Sequence, residues 1–113
     1  MKLWIDDMRL NPEGYIWCKS VNEAIATIIT SEGREGITTP VTELFPEMNW
    51  KIELIDIDHD AGEYAKGGGD YIKLLDWLEE TGRNYPIRIH SMNPVGVENM
   101  RRIIQRNGWT EVH

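Results

Sequence analysis

Three short apolar runs each end in a tight polar loop. Leu3-Trp4-Ile5 leads into Asp6-Asp7-Met8-Arg9, Ile52 to Ile57 into Asp58-His59-Asp60-Ala61-Gly62, and Ile87-Arg88-Ile89 into His90-Ser91-Met92-Asn93-Pro94-Val95-Gly96. The β-branched and apolar content of these runs reads as buried strands. Stretches of helical spacing separate them. Ser20 followed by Glu23 is a capping box ahead of Val21, Ala24, Ile25 and Ile28, predicting a helix over 21–31 with Gly33 to end it. Asp70 is placed to cap a helix whose Tyr71, Leu74, Leu75 and Leu78 share one face and which stops at Gly82. Asn93 and Pro94 open a third, with Val97, Met100 and Ile104 as its stripe and Gly108 as its stop; Trp109 to Val112 reads as a last strand. With Tyr15 to Cys18 as the second strand, the alternation predicts an α/β domain with a parallel five-stranded sheet between helical layers. All three polar loops then fall on the carboxyl edge of one sheet, where open α/β sheets bind ligands.

Two stretches break the regularity. Residues 6–14 are too few for a crossover helix between the first two strands, so that helix is reduced to a loop carrying Arg9. Residues 32–50 lose all periodicity and read as an insertion with one helical turn near Thr42 to Phe45, available to cover a substrate or meet a protein partner. At 113 residues the chain is one domain over 1–113. Its single Cys, Cys18, cannot form an internal disulfide and reads as a buried thiol. The first acid comes too early for a signal peptide and no run is long enough to span a membrane, which predicts a cytoplasmic protein. A formal net charge of −7 argues against duplex nucleic acid, whose phosphates call for a basic surface. A small phosphorylated ligand or an RNA end remains compatible, because a local cation can reverse the field in a cleft.

Asp6, Asp7 and Asp58 supply the hard oxygen ligands and negative charge that Mg²⁺ or Mn²⁺ requires; the competing reading is that Asp6 caps a turn and Asp7 is solvated. The alternation Asp56, Asp58, Asp60 is not a calcium loop, since Ala61 and Gly67 stand where that loop needs Gly and Glu. Nor does Asp56-Ile57-Asp58 belong to a haloacid-dehalogenase-type phosphatase, for the downstream lysine and acidic pair are missing. His59 and His90 are two of three histidines and both fall at strand ends, beside Asp60 and Ser91. A pair of imidazoles across a phosphate can take a proton from water and give one to the leaving oxygen; alternatively each is a structural hydrogen-bonding group. Ser91, Asn93 and the helix start through Gly96 suit an anion, with Arg9 as a clamp, or they only satisfy the helix terminus. Gly67 to Gly69 lack the ending of a nucleotide-binding loop and read as a flexible rim. The five tryptophans are mostly assigned to the core, with Trp50 left to contact a partner.

The three motifs, Asp6-Asp7-x-Arg9 with Pro12, Asp58-His59-Asp60-x-Gly62 and His90-Ser91-x-Asn93-Pro94-x-Gly96, resemble those of the cyclic-phosphate-processing receiver-like domains. This is a bacterial and phage family related in fold to response-regulator receivers. The likeness covers nearly the whole chain. It departs at Ala61, where the family usually has Leu, and in the length of the 32–50 insertion. The resemblance implies a three-layer, flavodoxin-like sheet in the order 2-1-3-4-5. It implies a phosphoesterase-like domain for a cyclic nucleotide or an RNA 2′,3′-cyclic phosphate end, or else a non-catalytic module that binds a phosphorylated ligand or protein partner. The expected site has His59, His90 and Asp60 as catalytic groups, Arg9, Ser91, Asn93 and Gly96 on the phosphate, and Asp6, Asp7 and Asp58 on a metal. No lysine lies near the last strand to read a phosphoryl group, which argues against phosphorelay signalling.

Overall fold

The computed structural model describes residues 1–7, 12–35 and 51–113. Its strands are β1 (Lys2–Ile5), β2 (Tyr15–Cys18), β3 (Leu54–Ile57) and β4 (Ile87–Ile89); its helices are α1 (Val21–Glu35), α2 (Ile72–Glu80) and α3 (Pro94–Asn107), with a 3₁₀ helix at Gly62–Gly67. The strands form one parallel sheet in the order β2-β1-β3-β4. The 2-1-3-4 part of the expected order is therefore present. The fifth strand is not: the terminal segment lies beside β4 but makes only the Ile87–Glu111 bridge, through Ile87 N–H to Thr110 O (3.0 Å) and Val112 N–H to Ile87 O (2.8 Å). Between β1 and β2, the described residues 12–14 form a turn, in keeping with a lost first helix.

Strand alternation sorts the sheet into two unlike faces. Leu3, Ile5, Cys18, Ile55, Ile57 and Ile87 point to one side and are buried against Val21, Ala24 and Ile28 of α1, Leu74, Leu75 and Leu78 of α2, and Met100, Ile103 and Ile104 of α3. α1 touches α2 and α2 touches α3, so the three helices are one layer. Among the described residues they and the sheet make two of the three layers expected. Across the other face runs the register row Trp17, Trp4, Asp56, Arg88. The core expectation for the tryptophans holds in part: Trp77 and Trp109 are half-buried and pack against the core, Trp4 and Trp17 are half-buried on the other face, and Trp50 lies outside the described residues. Cys18 is buried and its thiol is pushed up to about 11 by that burial, which keeps it protonated and inert.

The helix ends show what sequence spacing does and does not specify. Ser20 Oγ accepts from Glu23 N–H (3.1 Å), but the Glu23 carboxylate returns to Lys19 N–H (3.2 Å), one residue earlier than the reciprocal box. α1 runs through Gly33 to Glu35 because Glu32 is held from outside: Arg83 grips its carboxylate (2.8–2.9 Å) and the Tyr85 hydroxyl donates to it (2.6 Å). Residues 32–35 are thus helix, and the rest of the expected insertion, 36–50, with the turn near Thr42 to Phe45, lies outside the described residues. Asp70 does not cap α2, since its Oδ1 accepts from Ala61 N–H (3.1 Å) and Tyr71 holds the cap position without a side-chain bond. The end of α2 does follow expectation: Arg83 N–H reaches Leu78 O and Gly82 N–H reaches Glu79 O, the paired bonds of a Schellman stop. Among the described residues no helix is long and apolar enough to cross a membrane.

Leu74 is fully buried beneath the sheet, so Leu74→Ala should lower the unfolding free energy by about 2–5 kcal/mol in urea titrations. Arg83→Leu, which strips Glu32 of its charged partner, should lower it by about 1–3 kcal/mol, measured the same way.

Candidate functional site

A polar side chain inside a strand must find a partner before the sheet can close over it. Asp56, in the middle of β3, is 1% exposed. Its Oδ1 receives His90 Nδ1 (2.6 Å), its Oδ2 receives the Tyr15 hydroxyl (3.3 Å), and the Arg88 guanidinium stands 4.0 Å away. The second nitrogen of His90, Nε2, bonds Asp6 Oδ2 at 2.8 Å. The imidazole thus spans from β3 to the end of β1 with a carboxylate on each nitrogen. Its ring lies flat on Trp4, with centroids 3.8 Å apart and planes 2° from parallel. Burial works against charging this ring, but the hydrogen bonds it gives to Asp56 and Asp6, reinforced by their charges, outweigh it and raise the His90 pKa.

β1 turns to one neighbour and the chain returns on its other side as β3, so the crevice between their carboxyl ends is the switch point of the sheet. Asp6 and Asp7 follow β1 and Asp58 follows β3. One carboxylate oxygen from each lies within 4.8 Å of the others, an arrangement that could hold a metal ion. Burial, then the adjoining Asp6, with Asp58 adding to it, holds the Asp7 carboxyl above its ordinary range. Three crowded carboxylates repel one another, and a hard divalent cation offered oxygen ligands would relieve that repulsion. The donor set fits Mg²⁺ or Mn²⁺. His59, Asp60 and Asp70 form a second such cluster.

Asp6, Asp7, Asp58, Asp60, His90, Ser91 and Asn93 all border one cleft of about 420 Å³. The three sequence motifs therefore converge. His59 stands behind that wall, its Nδ1 on Asp60 Oδ1 (2.8 Å) and its ring against Gly96. The hydrogen bond to His59, helped by Asn93, keeps Asp60 below the usual carboxylate range. Gly96 is there for space, since a Cβ would fall 2.4 Å from His59 Cγ. Its N–H is taken by Asn93 Oδ1 (3.0 Å), which revises the expectation that it presents a donor to phosphate. Ser91 Oγ likewise accepts from Asn93 N–H (3.1 Å). Both side chains satisfy the start of α3 while bordering the cleft, and what that helix still offers an anion is its positive end. Arg9 lies outside the described residues.

Sequence reasoning missed Asp56 and Trp4 as parts of the site. An acid flanked by Ile55 and Ile57 was the available signal, because such a residue implies a buried partner. Trp4 gave none, as stacking on His90 depends on two strands meeting.

A histidine whose folded pKa exceeds its unfolded value stabilises fully below about pH 6.5 and loses that contribution as pH rises through the folded value. His90→Ala should therefore cost about 3–5 kcal/mol near pH 6, by stranding Asp56. In melts with chelator present, the gap from wild type should narrow steadily toward pH 9; a gap that widens would contradict the assignment.

The model of the cyclic-phosphate processing receiver domain matches residues 1–106. No curated protein and no solved structure matches the chain. That match spans both flanks of the cleft and all four strands, and by it this chain belongs to the cyclic-phosphate processing receiver family.

Proposed function

We propose that this domain is a metal-assisted phosphoesterase that opens a cyclic phosphodiester, that of a nucleotide or an RNA 2′,3′ end. The observation that carries the reading is the joining of the Asp6, Asp7, Asp58 cluster with His90 and the start of α3 in a single cleft at the switch point. A divalent cation held by the three carboxylates would neutralise phosphate charge and make phosphorus more electrophilic. In the reaction water attacks phosphorus, one ring P–O bond breaks, and the freed oxygen takes a proton, leaving a phosphate monoester. His59 is the proposed base: Asp60 holds its Nδ1, which leaves Nε2 to accept the proton of water once the imidazole turns past Asp60 into the cleft it stands behind. His90 is the acid, kept protonated by its two carboxylates. Delivery requires Nε2–H to exchange Asp6 for the leaving oxygen. Ser91 and Asn93 border the phosphate beside the positive end of α3, and Arg9 is assigned to clamp it.

One observation favours a second reading, binding without turnover: both nitrogens of His90 are already engaged. Turnover assays separate the two. With Mg²⁺ or Mn²⁺, wild type should hydrolyse a 2′,3′-cyclic nucleotide, and His59→Ala should lower kcat by about 10²–10⁴-fold. Full activity in a His59→Ala, His90→Ala double variant would remove both proton roles, while ligand-induced stabilisation with no product would establish the binding module. Separately, saturating Mn²⁺ at a hundredfold excess over its Kd should stabilise wild type by about 2.7 kcal/mol, and Asp58→Asn should abolish this shift in melting experiments.

A further inference from the structure

Beside the acidic cluster, on its β2 side, lies a second cleft of about 660 Å³ bounded by Asp7, Trp17, Lys19, Gly62, Glu63 and Tyr64. We infer that this cleft seats a nucleobase, so that the phosphate handled next door is a nucleoside's; the inference rests on the phosphate reading above. Asp7 borders both clefts. A ligand whose phosphate lies over the carboxylates therefore has its next group directed toward Trp17.

The walls are those of a stacking site. Trp17 is fixed in orientation by its Nε1–H, which donates to Asp6 O (2.8 Å), so its plane is locked to a residue of the acidic cluster. The Lys19 ammonium stands 4.8 Å from the centre of that ring. It lies over the indole face, so a base stacks on Trp17 where Lys19 swings aside, and it brings a cation to the side of an anionic ligand. Tyr64, on the 3₁₀ helix, leaves 37% of its surface exposed on the same cleft. Gly62 makes this approach feasible: at φ +56°, a Cβ would sit 2.7 Å from Asp7 Oδ2, so only glycine lets the 3₁₀ helix come so close to the cluster. Two aromatic side chains with an acceptor, Glu63, and a donor, Lys19, match the way unstacked bases are held, by a platform and by contacts at the base edge. A small polyol phosphate carries no planar ring to stack on such a platform.

The test titrates full-length protein with Mg²⁺ and either adenosine 2′,3′-cyclic phosphate or glycerol 1,2-cyclic phosphate, which carries the same ring without a base. Apparent Kd is read from ligand-dependent melting. Wild type should bind the adenosine ligand about tenfold or more tightly than the glycerol one. Tyr64→Ala should erase most of that difference without altering glycerol-ligand binding, and Tyr64→Phe should preserve it. Equal binding of the two ligands by wild type, or a Tyr64→Ala variant that treats both as wild type does, would overturn the base site while leaving the phosphate site standing. Failure of both ligands to bind would bring down the phosphate reading and this inference together. A trinucleotide ending in a 2′,3′-cyclic phosphate identifies the source: binding at least as tight as the mononucleotide points to an RNA end, and much weaker binding to a free nucleotide.

Discussion

The buried Asp56 carboxylate is the constraint around which the functional edge is arranged. A charge at that depth is strongly destabilising unless it is paired and hydrogen-bonded. The pairing reaches it from two other strands: Tyr15 from β2, Arg88 from β4, and His90 just after β4. Because His90 must bring Nδ1 to Asp56, its Nε2 is delivered to Asp6, and its ring comes to rest on Trp4 of β1. One compensated charge thus fixes the relative placement of the carboxyl ends of β1, β3 and β4. The acidic cluster lies at the crevice this creates.

Among the described residues the sheet carries helices on one face only. With no helix between β1 and β2 among the described residues, the three helices pack on one face and leave the row Trp17, Trp4, Asp56, Arg88 on the other. Asp56, 1% exposed in that row, has no bulk water to meet its carboxylate. Instead the row supplies its own polar chain, which ends in the site. The charged strand interior is tolerated because its partners come from the neighbouring strands.

The loops after β3 and β4 show how residues with evident chemistry are divided between architecture and chemistry. Asn93 and Ser91 close the start of α3, Gly96 gives room to the His59 ring, and Asp70 satisfies Ala61 N–H instead of capping α2. These bonds hold the cleft wall rigid. On the proposed reading, the groups left to meet a ligand are the carboxylates of Asp6, Asp7 and Asp58 and the imidazoles of His90 and His59.

Much of this was legible in local pattern. The strands at Leu3 and Ile55, the Asn93-Pro94 start and the Gly82 and Gly108 stops follow from alternation, capping chemistry and positive-φ glycine, all of which act within a few residues. The convergence of three polar loops follows from parallel topology, since strands that alternate with helices all end on the same edge. What required the tertiary fold depends on partners far apart in the chain. α1 passes Gly33 because Arg83 and Tyr85 hold Glu32. The final strand shrinks to one bridge on β4. Trp4 leaves the core to support His90, and Asp56 becomes the centre of the network only once His90 arrives from 34 residues away. Local sequence sets where backbone hydrogen bonds begin and end. It does not set which side chain will neutralise a buried charge, because that choice is made by the register of neighbouring strands.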